Sequence, residues 1–335
     1  MRKISFLFLT SILSHAVTLG QVKNRGFEIT GIISGYADRT VIYLDNLSGP
    51  LNVHMDSTLI IRNGFRFAGS ISEDAMHVML KIASANDYKF FWLENAPITL
   101  KAAKGNLSEA VITGSKTQDE DNQLDAAIKA TGREMEQDTL FIRTHPNSVI
   151  SASILSIYCS AWGKKLTTDL YMDLSEKNRY SAYGLKILEY IRLNRNLKTG
   201  DKYADFEQPD AEGKMTRLSG IHAKAILLEF WGSWSGPSRE ANRELVKIYS
   251  EFKDRGFEIF GVAADDHMED WLKAIHRDSL TWKNVTDLRG DRNRAVLIYG
   301  VSHFPANFLI DRSGIIVAMD LGAEALRGKL EEMLK

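Results

Sequence analysis

Cysteine is almost absent from this chain, which has one such residue among 335. The single Cys159 cannot form a disulfide within the chain, and its isolation excludes metal sites built from two or more thiolates. In the run SILSIYCSAW we interpret Cys159 as a small buried residue on a helix, and the alternative is a reactive thiol. The eight histidines show no ligand spacing beside a carboxylate, so no metal or other cofactor is predicted.

The chain also lacks an excess of positive charge. There are 42 Lys and Arg against 43 Asp and Glu, which gives a formal net charge of -1. A basic surface is the usual basis for binding nucleic acid or anionic lipid, so neither partner is predicted. Hydrophobic residues make up 44% of the chain, which is enough to form buried cores, and the length accommodates two domains or slightly more.

The N-terminal residues 1–20 have the pattern of a secretory signal peptide. Arg2 and Lys3 precede the apolar stretch ISFLFLTSILSHAVTLG, and Thr18 and Gly20 fit the positions before a cleavage site. A membrane anchor is the alternative, but the run is short for a span and Ser, Thr and His dilute it. No other apolar stretch is long enough to cross a bilayer. We therefore expect a periplasmic or secreted protein without a membrane span after the signal is removed.

Residues 21–115 alternate between apolar and polar side chains with a period of two. The turn-separated segments are FEITGIISG, RTVIYLDN, STLIIRNGFRFAG, HVMLKIA, KFFWLEN, PITLKAA and AVITGS. The dipeptide Asn63–Gly64 predicts a two-residue hairpin turn. This region is predicted to be an all-β, antiparallel domain, either a sandwich or a small barrel.

Residues 116–199 change to helical spacing. A single polar helix is predicted over TQDEDNQLDAAIKATGREMEQ, and another over HPNSVISASILSIYCSAW, where Pro146 indicates the start. In the last helix, Leu185, Leu188 and Ile191 lie on one face. We interpret the region as a helical connecting segment, since no set of residues in it suggests catalysis.

In residues 200–335 strands and helices alternate. The predicted strands are AILLEFW, GFEIFGVAA, ANFLID and IIVAMD, and the predicted helices are SREANRELVKIYSEFK, MEDWLKAIHRD, DRNRAVLIYG and EALRGKLEEMLK. Buried continuous strands followed by crossover helices predict an α/β layer fold. The turn sequence DRSG indicates that the last two strands are antiparallel.

Several segments of this last region resemble thioredoxin-like domains in order and spacing: YADFEQPDAEGKMTRLS, ILLEFWGSWSGPSRE, LTWKNVTDLRG and YGVSHFPANFLIDRSGIIVA. The similarity is to exported thiol–disulfide oxidoreductases of the TlpA, ResA and AhpC/TSA type, and it covers about residues 201–335. It implies a thioredoxin-like fold, with a central mixed sheet flanked by helices. The front half, with DSTLIIRNGFRFAGSI, FFWLENAPITL and ITGSKTQDE, resembles the uncharacterised β-rich domain that often precedes such domains in exported bacterial proteins.

In the family that this region resembles, a strand ends in Trp-Cys-x-x-Cys, often with Gly-Pro between the cysteines. The resemblance places the first cysteine position at Ser235 and the second at Ser238. It equates Glu229 with the acid buried behind the motif, and Pro305, in HFPANF, with the cis-proline that faces it. The scaffold residues are present, whereas both sulfur atoms are missing.

Serine cannot replace these cysteines in disulfide exchange. The family reaction needs a thiolate, whose pKa falls from about 8.5 to about 3.5–7.5 at a helix N-terminus. It also needs a second thiol that resolves the mixed disulfide. A serine hydroxyl forms no comparable anion near neutral pH and no S–S bond, so we expect Ser235 or Ser238 to cap the following helix.

Two other interpretations of the serines stay open. In the first, Ser235 is a nucleophile activated by His303, although the chain has no Gly-x-Ser-x-Gly elbow. In the second, Ser-Gly-Pro-Ser is an engineered replacement of two cysteines, against which the intact signal sequence argues.

The neighbouring acid and tryptophans also have simple structural interpretations. We expect no catalytic role for Glu229, because the proton-donating thiol is missing, and we expect it to pair with Lys224 or a backbone group. We expect Trp231 and Trp234 to pack in the core and at its rim rather than to hold a cofactor.

Two functions are compatible with these residues. The first is an exported binding or accessory protein without redox activity, and the alternative is a thiol–disulfide oxidoreductase that retains activity. In the first, an extended segment of a partner protein pairs with the backbone beside Pro305, in a groove lined by Trp234, Ser235, His303 and Phe304. Such strand addition needs no sulfur. The competing interpretation is that these aromatic side chains only cover the core.

Overall fold

The computed structural model describes residues 26–47 and 53–335. The predicted signal peptide, residues 1–20, lies outside these described residues. The chain divides into two compact units, Met1–Asn122 and Gln123–Lys335. In the described ranges, no helix has both the length and the hydropathy that a membrane crossing requires.

The described part of the first unit is a sandwich of two four-stranded sheets. One sheet contains β1 (Phe27–Ser34), β4 (Gly64–Gly69), β7 (Pro97–Ala103) and β8 (Val111–Thr113), in the order β4-β1-β7-β8. The other contains β2 (Thr40–Asn46), β3 (Val53–Ile60), β5 (Ala75–Ile82) and β6 (Tyr88–Glu94), in the order β3-β2-β5-β6. Alternate side chains face a shared core that includes Ile29 and Phe67 from the first sheet and Ile42 and Leu80 from the second.

The sequence had predicted a wholly antiparallel domain, but the sandwich contains one parallel pair of strands. β1 pairs with β4 in antiparallel orientation but with β7 in parallel orientation. Parallel neighbours need a long connection, and the five intervening strands of the chain provide it. Periodicity identifies the strands without stating which of them pair, so the prediction was wrong in this detail.

The tight turn between β3 and β4 lies one residue earlier than predicted. Ile61 and Gly64 exchange backbone hydrogen bonds of 2.8 and 2.9 Å, so the two loop residues are Arg62 and Asn63. Their φ values of 50° and 67° are those of a turn whose two central residues are both left-handed. Asn63 therefore supplies the second left-handed position, and Gly64 begins the next strand.

Six helices lead from the sandwich to the C-terminal region: α1 (Lys116–Thr131), α2 (Glu134–Thr144), α3 (Val149–Tyr158), α4 (Gly163–Asp173), α5 (Glu176–Tyr180) and α6 (Ala182–Leu193). The single polar helix predicted over residues 117–137 is wrong, because Gly132, with φ 66°, ends α1 before α2 begins. We call α2–α6 the helical segment. It has its own core, which includes Ile142, Leu155, Leu170 and Ile187.

The C-terminal region is an α/β fold around a five-stranded mixed sheet. The sheet contains β11 (Ala225–Trp231), β12 (Phe257–Ala263), β13 (Lys283–Val285), β14 (Ala306–Asp311) and β15 (Ile316–Met319), in the order β13-β12-β11-β14-β15. A separate antiparallel pair is formed by β9 (Glu207–Pro209) and β10 (Met215–Arg217). The predicted antiparallel pairing of the last two strands is confirmed. The short strands β9, β10 and β13 had not been predicted.

Helices cover both faces of this sheet and so place the candidate site. The helices are α7 (Gly236–Phe252), α8 (Met268–Asp278), α9 (Arg294–Tyr299) and α10 (Ala323–Met333). On β11, Leu227 and Trp231 face the core formed with α7, α8 and α10, whereas Leu228 and Phe230 face the core formed with α9. All seven residues of β11 are buried, and its C-terminal end leads directly into α7.

Candidate functional site

The N-terminus of α7 is capped by Ser235, as predicted. Ser235 has an extended backbone, and its Oγ accepts the backbone N–H of Ser238 at 3.3 Å. Pro237 lies in the first turn, where its missing N–H leaves no intrahelical hydrogen bond unmade. A capping hydroxyl at this place satisfies one of the free N–H groups with which every helix begins.

The loop that contains Pro305 lies against Ser235. The Phe304–Pro305 peptide bond is cis, and Ser235 Oγ donates to the carbonyl oxygen of Phe304 at 3.5 Å. The ring of Phe304 meets the indole of Trp234 edge to face, with centroids 5.7 Å apart. Of the four side chains predicted to line a groove beside Pro305, the structure thus brings Trp234, Ser235 and Phe304 together.

Trp234 is an exposed aromatic surface in a fixed orientation. Its side chain is 63% exposed, yet its Nε1 donates to the carbonyl oxygen of Ala264 at 2.9 Å. Trp231, by contrast, is fully buried and donates to Asn284 Oδ1 at 3.1 Å. The expectation of one core and one rim tryptophan is confirmed. The hydrogen bond fixes the indole of Trp234 while most of its surface stays exposed.

His303, the fourth of these side chains, makes no contact with Ser235 that a general base would need. It is exposed, and its Nε2 lies 3.9 Å from the carboxylate of Asp320. Among the described residues no hydrogen bond joins His303 to Ser235, whose hydroxyl is engaged with Ser238 and Phe304. This arrangement gives no support to a nucleophilic Ser235.

Behind the capped helix start lies a group of buried polar atoms without partners. Glu229 is only 1% exposed, and neither of its carboxylate oxygens has a hydrogen-bond partner in the described part of the chain. The same holds for Ser238 Oγ and for both amide atoms of Asn242. Burial raises the pKa of Glu229 well above its usual value, because a charged carboxylate is poorly solvated there.

The predicted pairing of Glu229 with Lys224 or a backbone group is wrong. Lys224 precedes Glu229 by five residues, which corresponds to about 16 Å along an extended strand, and the two side chains point to opposite faces. Glu229, the one ionisable residue of the otherwise apolar strand AILLEFW, is therefore enclosed between the sheet and the helices that cover it.

Two further polar groups hold the turn between β11 and α7, and sequence reasoning had missed both. The carboxylate of Asp265, two residues after β12, accepts hydrogen bonds from the backbone N–H and the hydroxyl of Ser233. Arg239 forms a buried ion pair with Asp278, and its guanidinium also reaches the carbonyl oxygen of Ser233 at 3.4 Å. Asp265 follows a predicted strand and Arg239 lies next to Ser238. Their partners, Ser233 and Asp278, are 32 and 39 positions away, so the sequence did not indicate these contacts.

The charges around Trp234 are unevenly distributed. On one side is a hollow of about 390 Å³ whose lining includes Asp266, Asp270 and Asp291. On the other side the exposed surface includes Arg243 and Arg277. The exposed indole therefore separates a negative surface from a predominantly positive one.

Cys159 is buried at the C-terminal end of α3, in the helical segment. It is 3% exposed at the end of α3, where its Sγ lies 3.5 Å from the carbonyl oxygen of Ser156. Burial raises the pKa of its thiol, which disfavours the reactive thiolate. The prediction of a small buried residue on a helix is confirmed.

Two regions of the chain match known families. Residues 199–319 match the AhpC/TSA family, and residues 27–120 match DUF4369, a domain of unknown function. The thiol-disulfide oxidoreductase ResA of Bacillus thuringiensis subsp. konkukian is 27% identical over 146 residues, which cover 44% of this chain and 82% of that protein.

Two solved structures with similar sequences come from Bacteroides species. A thiol-disulfide oxidoreductase from Bacteroides fragilis is 34% identical, with 40% of this chain and 100% of that chain covered and a TM-score of 0.38. The thioredoxin domain of a thiol-disulfide oxidoreductase from Bacteroides vulgatus is 32% identical, with 42% and 99% covered and a TM-score of 0.39. These matches extend over well under half of this chain.

Proposed function

Because the C-terminal region belongs to the thioredoxin-like AhpC/TSA family of thiol–disulfide oxidoreductases, we propose that this protein is an exported member that binds a partner polypeptide without catalysing redox chemistry. The proposal of export rests on the signal-like pattern of residues 1–20. The second candidate function is that of an active thiol–disulfide oxidoreductase, which the family membership favours.

The observation that carries the proposal is the state of the two motif positions. Ser235 is committed to capping α7, and Ser238 is completely buried. Disulfide exchange requires one thiolate to attack and a second thiol to resolve the mixed disulfide. The only cysteine of the chain is buried at the end of α3, where it lines a small cavity together with Phe304, so neither motif position carries a sulfur atom.

Binding at the same place uses groups that do not depend on sulfur. The loop around Phe304 presents backbone next to the exposed indole of Trp234. An extended partner segment can pair with such backbone, while neighbouring side chains select its sequence. The oppositely charged surfaces on the two sides of Trp234 add a means of orienting that segment.

Insulin reduction by dithiothreitol tests the absence of redox activity. The rate is expected to be the same with and without the protein, and the Ser235→Cys/Ser238→Cys double variant is expected to accelerate it. Cys159→Ala serves as the matched control, because it removes the only natural thiol. Activity of the unmodified protein that disappears in Cys159→Ala would establish the second candidate function instead.

Fluorine NMR with 5-fluorotryptophan tests the binding site in the full chain without its predicted signal. The chain has six tryptophans, and the signal of Trp234 is identified as the one lost in Trp234→Phe. Mixtures of end-blocked heptapeptides are expected to shift that signal. Phe304→Asp is expected to abolish the shift, whereas Phe304→Leu preserves an apolar side chain and most of the effect. Peptide binding that leaves Trp234 unchanged would place the binding function elsewhere in the chain.

A further inference from the structure

A surface hollow lies beside Trp234, between the start of α7 and the end of α8. Its lining comes from the turn before α7, from the first two turns of α7 and from the last turn of α8. Two exposed guanidinium groups border it, that of Arg243 on α7 and that of Arg277 on α8. We call this surface the arginine hollow. It adjoins the exposed indole at which the proposed partner segment binds.

The two arginines differ from the other lysines and arginines of α7 and α8. Those others are each paired with an acid: Lys247 with Glu244, Lys273 with Glu269, and Arg239 with Asp278. Within the described ranges, the side chains of Arg243 and Arg277 form neither an ion pair nor a hydrogen bond. The positive charge that these two helices leave unpaired therefore meets at one place on the surface.

The charges around Trp234 favour an anionic group in the arginine hollow. Glu240 also lines the hollow and offsets one of the two free arginines, so one positive charge remains in excess. Arg239 adds no free charge, because its buried guanidinium is bound by Asp278. The hollow on the other side of the indole is lined instead by aspartates: Asp266, Asp270 and Asp291. A negative group is thus attracted on one side of Trp234 and repelled on the other.

The chemistry of arginine narrows the choice of anionic group on a polypeptide to a carboxylate. A guanidinium presents a planar set of N–H donors that matches the two oxygens of a carboxylate. Because Arg243 and Arg277 project from two separate helices, they can contact one carboxylate from two directions. Exposed ion pairs contribute little each, so the expected effect is one of selectivity rather than of overall affinity.

We propose that the arginine hollow takes an aspartate or glutamate side chain of the partner segment. The guanidinium groups of Arg243 and Arg277 donate hydrogen bonds to its carboxylate, while the neighbouring part of the segment contacts the indole of Trp234. The acidic residue lies on the α7–α8 side of Trp234, away from the aspartates, which fixes the direction in which the segment binds. The proposal rests on the proposed function, because it requires a segment bound beside Trp234.

Positional mixtures of end-blocked heptapeptides test the arginine hollow in the full chain without its predicted signal. In each mixture one position is fixed as Glu, Gln or Lys, and the fluorine signal of Trp234 reports binding. Glu and Gln differ in charge but hardly in shape, and the blocked ends remove the terminal carboxylate. At one position, Glu is expected to bind about fivefold more tightly than Gln at low salt. This preference is expected to fall as the ionic strength rises from about 0.01 M to about 1 M, because salt screens exposed charges.

Arg243→Gln/Arg277→Gln removes both free charges from exposed positions. This double variant is expected to lose the preference for Glu and to bind the Gln mixture as wild type does. Lys247→Gln/Lys329→Gln is the matched control, since it removes two positive charges at exposed positions outside the lining of the hollow. The control is expected to keep the preference for Glu. Arg243→Glu/Arg277→Glu is expected to turn the preference towards Lys.

The outcomes separate the two proposals. Equal binding of the Glu and Gln mixtures at Trp234, or a preference for Glu that survives in Arg243→Gln/Arg277→Gln, would overturn the role of the arginine hollow and leave the proposed function intact. A complete lack of response at Trp234 to every mixture would overturn both.

Discussion

Two sets of buried polar side chains lie on opposite faces of the thioredoxin-like sheet, and they differ in how they are satisfied. On the α9 face, the amides of Gln208 and Asn293 bond to each other, and Asn293 also caps α9 and donates to the carbonyl oxygen of Ala263. On the α7 face, Glu229, Ser238 Oγ and Asn242 have no partners in the described residues. Nearly all buried polar groups in proteins are hydrogen-bonded, so the second set is the exception.

The difference indicates what each set is for. A satisfied amide pair stabilises one arrangement of chain segments and needs no further explanation. An unpartnered acid, by contrast, destabilises the fold, and proteins retain such groups mainly where chemistry needs them. In the family that this region belongs to, the position equivalent to Glu229 is an acid buried behind the reactive thiols. In the proposed redox-inactive protein that acid remains without the thiols, so its removal is expected to stabilise the chain.

Disruption of the satisfied set is expected to have the largest effect. Asn293→Ala removes the cap of α9 and leaves the buried amide of Gln208 without a partner. The combined loss is about 2–4 kcal/mol of the free energy of unfolding. Urea denaturation measures it as a lower midpoint with an unchanged slope. Gln208→Met is the matched control and is expected to cost less, because Asn293 keeps its cap and its bond to Ala263.

Glu229→Gln is expected to stabilise the protein increasingly as the pH rises. The folded-state pKa of Glu229 lies above its unfolded value, so in wild type the unfolded chain loses its proton first and stability falls with rising pH. Glutamine has no proton to lose. The advantage of Glu229→Gln is therefore expected to be larger at pH 6 than at pH 5.

The control for this pH dependence is Glu269→Gln, an exposed acid at the start of α8 that pairs with Lys273. Its pKa is lowered by Lys273, so its replacement is not expected to produce an advantage that grows with pH. Urea denaturation at pH 5 and pH 6 compares the two variants. A difference between Glu229→Gln and wild type that is the same at both pH values would show that the buried acid is already ionised.

A smaller loss is expected from Ser235→Ala, because Ser235 is the satisfied member of the serine pair. Removal of the N-cap hydroxyl is expected to lower the free energy of unfolding by about 1 kcal/mol. Ser235→Thr retains a capping oxygen and is expected to lose only a fraction of that amount. Thermal denaturation of the three proteins tests the order, and an Ala variant as stable as wild type would remove the capping role.

The smallest change, and of opposite sign, is expected from Ser238→Ala. The Oγ of Ser238 is buried without a partner, and alanine has the higher helix propensity. We expect a gain of about 0.5 kcal/mol in the free energy of unfolding. If the replacement destabilises the protein, Ser238 must have a hydrogen-bond partner.

Much of the fold could be predicted from local patterns, and the failures have local causes. The seven-residue apolar run of β11 and the helix start at Ser235 were clear because burial and capping each leave a signal in a few neighbouring residues. β13 was missed because three residues, Lys-Asn-Val, are too few to show a period. Gly132 was passed over inside a polar helical pattern, although its left-handed conformation ends α1.

The candidate site could be predicted only where the family resemblance indicated which residues, distant in sequence, lie close together in space. It brought Pro305 to Ser235, which are 70 positions apart, and the structure also places Trp234 and Phe304 there. Nothing in the sequence indicated that α3 would lie beside Phe304, because that neighbourhood depends on how the helical segment packs. Pairing of residues distant in sequence, such as Arg239 with Asp278, leaves no local pattern for the same reason.

The ion pairs of Arg289 and Arg292 with Glu189 join the thioredoxin-like region to the helical segment that precedes it. The AhpC/TSA match begins at residue 199, after Glu189 and after Tyr190, which packs with Cys159 against Leu297. A gene rearrangement that moved only the matched region would separate both arginines from their carboxylate and expose Leu297 to solvent. In this chain, the thioredoxin-like region is therefore expected to be less stable when it is separated from the helical segment.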